Sequence, residues 1–281
     1  MSASQPAGAE EDDSLAEEVT EAADTVNSHP VVVTLARLGH AVNGALHVII
    51  AVIVLRIAWG SAGDEQADQS GALATMAGQP VGLALLWLFV AGCGCLGLWY
   101  LTEAVAPAPQ WSSRLDRAKW VTKGVAYLAI AWLALRFALG AASSTSSEQR
   151  TQGVTRTLMS QPAGQWLVAA GGVVVLAVGA YYMRKGVLAR FLGDLEEHPG
   201  AWAVAAGRIG YPAKGAVLGL VGVFVILAAW QQTVEEAVGL DGALKQLKGQ
   251  PYGPYLLTAV AVGLVCFGVY CLARARFAAL D

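Results

Sequence analysis

The chain has 281 residues, of which 56% are hydrophobic and only 14% are charged, and its formal net charge is −3. The charges lie mostly at the ends of long apolar stretches, and this pattern excludes an ordinary soluble globule. The composition therefore predicts an integral membrane protein.

Residues 1–30 form an acidic segment that differs from the rest of the chain. It contains eight acidic residues and no Lys or Arg, so it lacks the basic start and apolar core of a secretory signal. One interpretation is a solvated, mostly disordered cytoplasmic tail. The other is a short helix, capped by Ser14 and Glu17, that folds onto basic cytoplasmic loops until a protein partner or an anionic lipid displaces it.

Six apolar stretches are each long enough to cross a bilayer. A hydrocarbon core of about 30 Å requires about 20 helical residues, and a backbone in lipid must satisfy its own hydrogen bonds. The stretches lack the polar and apolar alternation of a transmembrane β-barrel. We therefore predict an all-α integral membrane protein with six transmembrane helices near 38–59, 81–104, 118–140, 164–183, 211–230 and 254–273.

A unit of roughly seventy residues occurs three times, and its marks coincide in every copy. The first helix carries an Arg seven residues before a Gly, in the pairs Arg37 and Gly44, Arg117 and Gly124, and Arg208 and Gly215. A Gln-Pro pair precedes each second helix, and another Gly follows two residues after the Pro. Because each copy crosses the membrane twice, the copies enter in the same sense. We predict three helical hairpins in a pseudo-threefold bundle, at 36–105, 116–187 and 206–275.

The basic residues indicate an orientation for this bundle. Twelve Lys and Arg fall on the side of both termini, whereas four fall on the opposite side. Lys and Arg are retained on the cytoplasmic side of a membrane. The sequence thus predicts a protein of the inner (cytoplasmic) membrane with both termini in the cytoplasm.

The three Gln-Pro pairs are the strongest local signal. Pro suits the first turn of a helix, so each pair predicts the start of a second helix, after a short helix at the membrane interface. A repeated turn is the structural interpretation. The functional hypothesis is that three side chains converge near the axis with three helix N-termini and bind a polar or anionic ligand: Gln79, Gln161 and Gln250.

Three further residues within the spans are candidate ligand contacts. Arg56 and Arg136 occupy equivalent positions in the first two copies, where a charge inside a span suggests function. Snorkelling to the nearby surface or a local ion pair is the competing interpretation. His47 is the imidazole that we expect deepest in the bundle, but the other histidines do not provide a facing partner for haem.

Basic residues near the cytoplasmic boundary are candidate contacts for lipid headgroups. Lys123 and Lys214 directly precede the repeated glycines, where the first copy has Asn43. These lysines could also line an inner vestibule. The full set of candidates is Arg37, Arg117, Arg208, Lys123 and Lys214.

No pattern in the sequence indicates catalysis. Phosphate loops, zinc motifs and nucleophile elbows are absent, and Cys93 and Cys95 point to nearly opposite helix faces, so they do not form a metal pair. We expect no cofactor, metal or nucleic-acid partner. The predicted function is a non-enzymatic bundle that binds membrane lipids or a protein partner, and the alternative is a small-solute or ion conduit along the pseudo-threefold axis.

The triplicated pattern resembles domain-of-unknown-function family 1206 of bacterial membrane proteins. The resemblance is carried by Arg-x6-Gly and then Gly-Ala-Leu-x5-Gln-Pro-x-Gly. Copies one and three match through Gly71-Ala72-Leu73 and Gly242-Ala243-Leu244, whereas copy two departs with Gly153-Val154-Thr155. The match spans about 36–275. It implies six helices in three two-helix repeats, and it implies no activity, ligand or catalytic residue.

Overall fold

A computed structural model describes residues 30–60, 66–105, 114–141, 147–195, 198–232 and 239–277. The predicted acidic tail lies outside these residues, apart from Pro30. In chain order, the helices are α1 Pro30–Ala58, α2 Gln69–Ala77, α3 Pro80–Val105, α4 Arg114–Ala138, α5 Ser147–Met159, α6 Gly164–Val187, α7 Ala201–Gln231, α8 Leu240–Lys248 and α9 Gly253–Phe277, with a 3-10 segment at Arg190–Asp194 between α6 and α7.

Six of these helices are long and apolar enough to cross a membrane, namely α1, α3, α4, α6, α7 and α9. The predicted all-α fold with six spans is therefore confirmed. Two helices begin well before the predicted spans. Helix α1 begins at Pro30, whereas the prediction began near 38. Helix α7 begins at Ala201 and contains Pro212 in its interior, whereas the sequence pattern placed the span at 211–230. The Pro ring packs beside Gly186 of α6, where the absence of a side chain leaves room for it.

The six long helices form a ring with pseudo-threefold symmetry. The second helix of each repeat packs against the first helix of the next, in the pairs α3 with α4, α6 with α7, and α9 with α1. Within repeats, α1 packs against α3 and α7 packs against α9, but α4 and α6 form no comparable pair. The ring is thus incomplete at one place, which we call the α4–α6 seam.

The repeated glycines lie at the contacts between repeats. Each glycine of a first helix faces a glycine of the preceding second helix, in the pairs Gly44 and Gly268, Gly124 and Gly97, and Gly215 and Gly179. Small residues allow two helix backbones to approach closely within a membrane. The triplicated sequence therefore places the same close contact at three positions around the ring.

One end of the ring, the cap end, carries the three short helices α2, α5 and α8. Each precedes the second long helix of its repeat, as the sequence predicted. The Asp241 carboxylate of α8 accepts a 2.8 Å hydrogen bond from the Ala67 N–H, just before α2. Leu73 of α2 and Leu244 of α8 are fully buried in the main core. The opposite end, which carries the start of α1 and the end of α9, is called here the terminal end.

The repeated glycine after each Gln-Pro pair is explained by the short helices. A Cβ atom on Gly82, Gly164 or Gly253 would lie 1.9–2.2 Å from a carbonyl oxygen near the end of the preceding short helix. No side chain fits there. In copies two and three the long helix begins at this glycine, since the residue before it, Ala163 or Tyr252, has a positive φ.

Candidate functional site

A cavity of about 230 Å³ lies inside the ring, and all six long helices contribute to its wall. Among the described residues that line it, four are cationic and none is an Asp or Glu. The wall also contains six of the eight tyrosines of the chain. The cations are Lys123, Lys185, Lys214 and Arg274, and the tyrosines are Tyr100, Tyr127, Tyr181, Tyr182, Tyr211 and Tyr270.

The repeats explain why these side chains meet. Asn43, Lys123 and Lys214 each directly precede a glycine that contacts the neighbouring helix, and all three line the cavity. Successive residues on a helix are rotated by about 100°, so a residue next to a contact glycine can face the interior. The two lysines therefore line the central cavity.

The second helices contribute residues at matching positions. Tyr100, Tyr182 and Cys271 follow the contact glycines of their helices by three residues, and Lys185 and Arg274 follow two of them by six. Spacings of three and six or seven residues keep side chains on one helix face. Helices α6 and α9 thus each present a polar stripe to the cavity, whereas α3 contributes Tyr100.

Among the described residues, aromatic rings rather than carboxylates contact two of the cavity lysines. The Lys123 Nζ lies 4.4 Å from the centroid of the Trp120 ring. The Lys214 Nζ lies 4.2 Å from the centroid of the Phe267 ring. Such cation–π contacts stabilise an ammonium group without cancelling its charge. The positive charge of these lysines therefore remains available to a ligand.

A lysine–histidine pair lies deep in the bundle. The His47 Nδ1 is 2.8 Å from the Asn43 carbonyl oxygen, which can only accept, so Nδ1 carries the proton. The His47 Nε2 then accepts from the Lys214 ammonium at 3.3 Å. Both side chains line a second cavity of about 250 Å³, which extends to Asp68 and Ser70 at the cap end. Lys214 also lines the central cavity, and Gln69 lines both cavities.

The 3-10 segment lies beside the central cavity at the terminal end. Its Asp194 carboxylate forms an ion pair with Lys185. The Tyr270 hydroxyl donates a 3.1 Å hydrogen bond to the Phe191 carbonyl oxygen in the same segment. This segment therefore links α6 to α9 and supplies a carboxylate to one cavity cation.

Two polar groups of the wall have unused hydrogen-bonding capacity. Arg274 donates from Nη2 to the Tyr100 hydroxyl at 3.4 Å, but its buried Nε has no partner within the described part of the chain. His40 is only 1% exposed, and its Nε2 likewise has no partner among the described residues. A buried polar group without a partner costs free energy, so a ligand that bonds to these atoms would gain affinity.

The cavity opens sideways at the α4–α6 seam. Three of its wall residues are exposed: Lys123 and Ala126 on α4 and Tyr181 on α6. Every other wall residue is buried or only partly exposed. The opening therefore faces the surface that a bilayer would surround.

The structure does not bring the three predicted Gln residues together at either cavity. Gln79, Gln161 and Gln250 are exposed at the cap end, and none lines the two cavities described above. Arg56 and Arg136 are exposed as well. Of the predicted ligand contacts, only His47 lies on a cavity wall.

The predicted headgroup contacts divide into two groups. Lys123 and Lys214 line the central cavity, whereas Arg117 and Arg208 are exposed at the terminal end, and Arg37 is partly buried there. The sequence analysis missed the cavity tyrosines, Lys185 and Arg274. Their spacing from the contact glycines of the second helices was the signal that could have identified them.

Comparison with known proteins supports the repeat structure. No solved structure matches the chain. The chain is 28% identical over 256 residues to the "Uncharacterized protein YxxB" of Bacillus subtilis (strain 168), a match that covers 87% of this chain and 90% of that protein. The family described as "Domain of Unknown Function (DUF1206)" matches three segments, 38–106, 118–189 and 209–278. Since these segments contain the three hairpins of the ring and together span most of the sequence, the chain belongs to this family.

Proposed function

We propose that this protein is a non-enzymatic component of the cytoplasmic membrane that binds a membrane lipid in its central cavity. Both termini would lie in the cytoplasm, as the distribution of Lys and Arg indicates. The observation that carries the proposal is the α4–α6 seam, through which the cavity reaches the lipid-facing surface.

The seam suits an amphiphilic ligand. The two helices that border it are the least buried of the six spans, and α6 exposes Val173, Val174 and Val178 on its surface. A polar cavity beside an apolar surface matches a polar headgroup joined to acyl chains. The headgroup would occupy the cavity while its chains remain in the bilayer.

The size of the cavity fits this arrangement. Pockets that enclose a whole small molecule measure about 300–1,000 Å³, whereas this cavity measures about 230 Å³. It therefore accommodates a headgroup rather than an entire lipid. The cavity extends from Lys185 and Arg274, toward the terminal end, to Gln69 of α2, and a headgroup bound beside Lys185 and Arg274 would lie in the cytoplasmic leaflet.

Closure of the cap end favours binding over conduction. Leu73, Met76 and Leu244 are buried in the core there. A conduit would require a continuous polar path along the axis. The conduit hypothesis would therefore need a rearrangement of the cap, whereas lipid binding uses the cavity as it stands.

The test is to obstruct the seam and measure the lipid that copurifies with the protein. Ala126→Trp places a large ring at the opening, and Ala129→Trp, at an exposed position on the same helix that is not on the cavity wall, is the matched control. After extraction in mild detergent, mass spectrometry should detect bound lipid in the wild-type protein and in the control. Loss of that lipid in Ala126→Trp alone supports the proposal, and equal retention in both variants refutes it.

A further inference from the structure

We infer that the headgroup held in the central cavity is an oxyanion, and specifically the phosphate of a lipid that carries net negative charge. This inference rests on the proposed function and adds the chemical class of the ligand. It is carried by the excess of cationic donors over anionic partners in the cavity wall.

The charge of the wall is the first argument. Lys123, Lys185, Lys214 and Arg274 line the cavity without a described Asp or Glu. Within the described part of the chain, Asp194 is the carboxylate paired with one of these cations, Lys185. Charges inside a membrane span are costly unless they are paired. A ligand with net negative charge would offset this cost, whereas a zwitterionic headgroup would bring a further positive charge into the cavity.

Hydrogen-bonding capacity is the second argument. Lysine and arginine side chains can only donate hydrogen bonds, and the Arg274 Nε has no acceptor among the described residues. The Lys214 ammonium has three protons, of which the contact with His47 uses one. A phosphate group supplies several acceptor oxygens within one small volume. Its oxygens are therefore suitable acceptors for Lys214 and Arg274, which line the same cavity.

The position of the cations is the third argument. Lys123 lies on the α4 side of the seam, and Lys185, paired with Asp194, lies on the α6 side. Lys123 is exposed and can meet a headgroup at the surface of the seam, while Lys214 lies deep beside His47. This arrangement provides an electrostatic route from the leaflet into the cavity.

The Asp194 carboxylate is an oxyanion of the chain itself that binds one of the cavity cations. It bonds to Lys185 beside the cavity. The other three cations have no such carboxylate among the described residues. The wall therefore retains capacity for a ligand even while this ion pair is formed.

The experiment measures lipid selectivity of the full chain in nanodiscs. The discs contain equal amounts of phosphatidylglycerol and phosphatidylcholine with the same acyl chains, and native mass spectrometry counts the lipids that remain bound. The wild-type protein should retain phosphatidylglycerol in preference to phosphatidylcholine. Lys214→Gln and Arg274→Gln should each reduce this preference by about tenfold, because each removes a positive charge that repels the choline ammonium, which phosphatidylglycerol lacks.

Arg184→Gln is the matched control. Arg184 is exposed on α6, next to Lys185, but is not on the cavity wall. Arg184→Gln removes the same charge and should leave the preference for phosphatidylglycerol unchanged. Lys214→Arg keeps the charge and should preserve most of the preference, which separates charge from a structural role of Lys214. The melting temperature of each variant shows whether it folds.

The outcomes are distinct. Equal retention of the two lipids by the folded wild-type protein would overturn the inference while leaving the proposed function intact. Retention of no lipid would overturn the proposed function itself. A separate arm adds glycerol 3-phosphate to protein in lipid-free detergent: binding of this soluble anion, without retention of either lipid, would support the oxyanion site and refute a lipid as its source.

Discussion

Gly44 of the first repeat and Gly268 of the third lie against each other where α1 crosses α9. A Cβ atom added to Gly44 would lie 2.7 Å from the Gly268 carbonyl oxygen, and one added to Gly268 would lie 2.8 Å from the Gly44 carbonyl oxygen. The contact is therefore reciprocal and leaves no space for a side chain. It joins the end of the sequence to its beginning and so closes the ring between repeats three and one.

Gly268→Ala should destabilise the protein because the added methyl group meets backbone, which cannot move aside as a side chain can. Overpacking of this kind typically costs about 1–3 kcal/mol. We expect a lower melting temperature in detergent, measured by the loss of monodisperse protein on heating.

The control for this substitution is Gly94→Ala on α3. An added Cβ at Gly94 would have no heavy atom within 4 Å, and Ala is favoured over Gly in a helix by roughly 0.5–1 kcal/mol. This variant should be as stable as the wild-type protein or slightly more so. If the two substitutions have the same effect, the proposed close crossing of α1 and α9 is incorrect.

Asp241 joins the third repeat to the first at the cap end, and its replacement should loosen that connection. The side chain is 2% exposed and bonds to both the Ala67 N–H and Lys245. Asp241→Ala leaves the Ala67 N–H without its acceptor, at a cost of about 1–3 kcal/mol. Asp241→Asn keeps an acceptor oxygen and should lose less.

Proteolysis and melting curves of the purified protein measure this effect. Lys245→Ala is the comparison, because it removes the ion pair of the 44% exposed Lys245 side chain but keeps the hydrogen bond from the Ala67 N–H to Asp241. Equal loss of stability in Lys245→Ala and Asp241→Ala would show that the ion pair, rather than the bond to Ala67, is the important interaction.

Tyr270→Phe should lower the stability of the terminal end by about 0.5–1.5 kcal/mol, the net value of one buried hydrogen bond. Tyr270 is fully buried, and its hydroxyl bonds to the Phe191 carbonyl oxygen. The matched control is Tyr252→Phe, since Tyr252 is 78% exposed. Hydrogen exchange of residues 190–195 should increase only in Tyr270→Phe, and an increase in both variants would contradict the assigned contact.

The sequence predicts the helices and the ring well, and the reason is physical. Helix length and hydropathy follow from the thickness of a bilayer, and the triplicated Arg-x6-Gly pattern identifies equivalent positions in each repeat. The repeated glycines indicate close packing. They do not identify which helix each one contacts, because that depends on the order of the helices around the ring.

The site is less accessible to sequence analysis for the same reason. The sequence alone indicates only that Lys185 and Arg274 are charges at the membrane boundary. It does not show that they face a cavity, because that depends on which helices neighbour α6 and α9. The hypothesis of a Gln ring assumed that three equivalent side chains converge on the threefold axis. Gln79 and its equivalents are instead exposed beside the short helices. The α4–α6 seam has no signal in the repeat pattern, since it is a departure from the symmetry that the pattern describes.

The orientation of the bundle can be tested by cysteine labelling in intact cells. Gln79 and Gln250 are exposed at the cap end, and Arg208 is exposed toward the terminal end. In a background with Cys95 and Cys266 replaced by Ala, the remaining native cysteines are buried, with Cys93 at 1% and Cys271 at 3% exposure.

A membrane-impermeant maleimide should then label Gln79→Cys and Gln250→Cys in intact cells. We expect Arg208→Cys to react only after the membrane is permeabilised, since the distribution of Lys and Arg predicts a cytoplasmic terminal end. The reverse pattern would invert the orientation and place the central cavity in the outer leaflet, whereas labelling of all three positions in intact cells would contradict a bundle that spans the membrane.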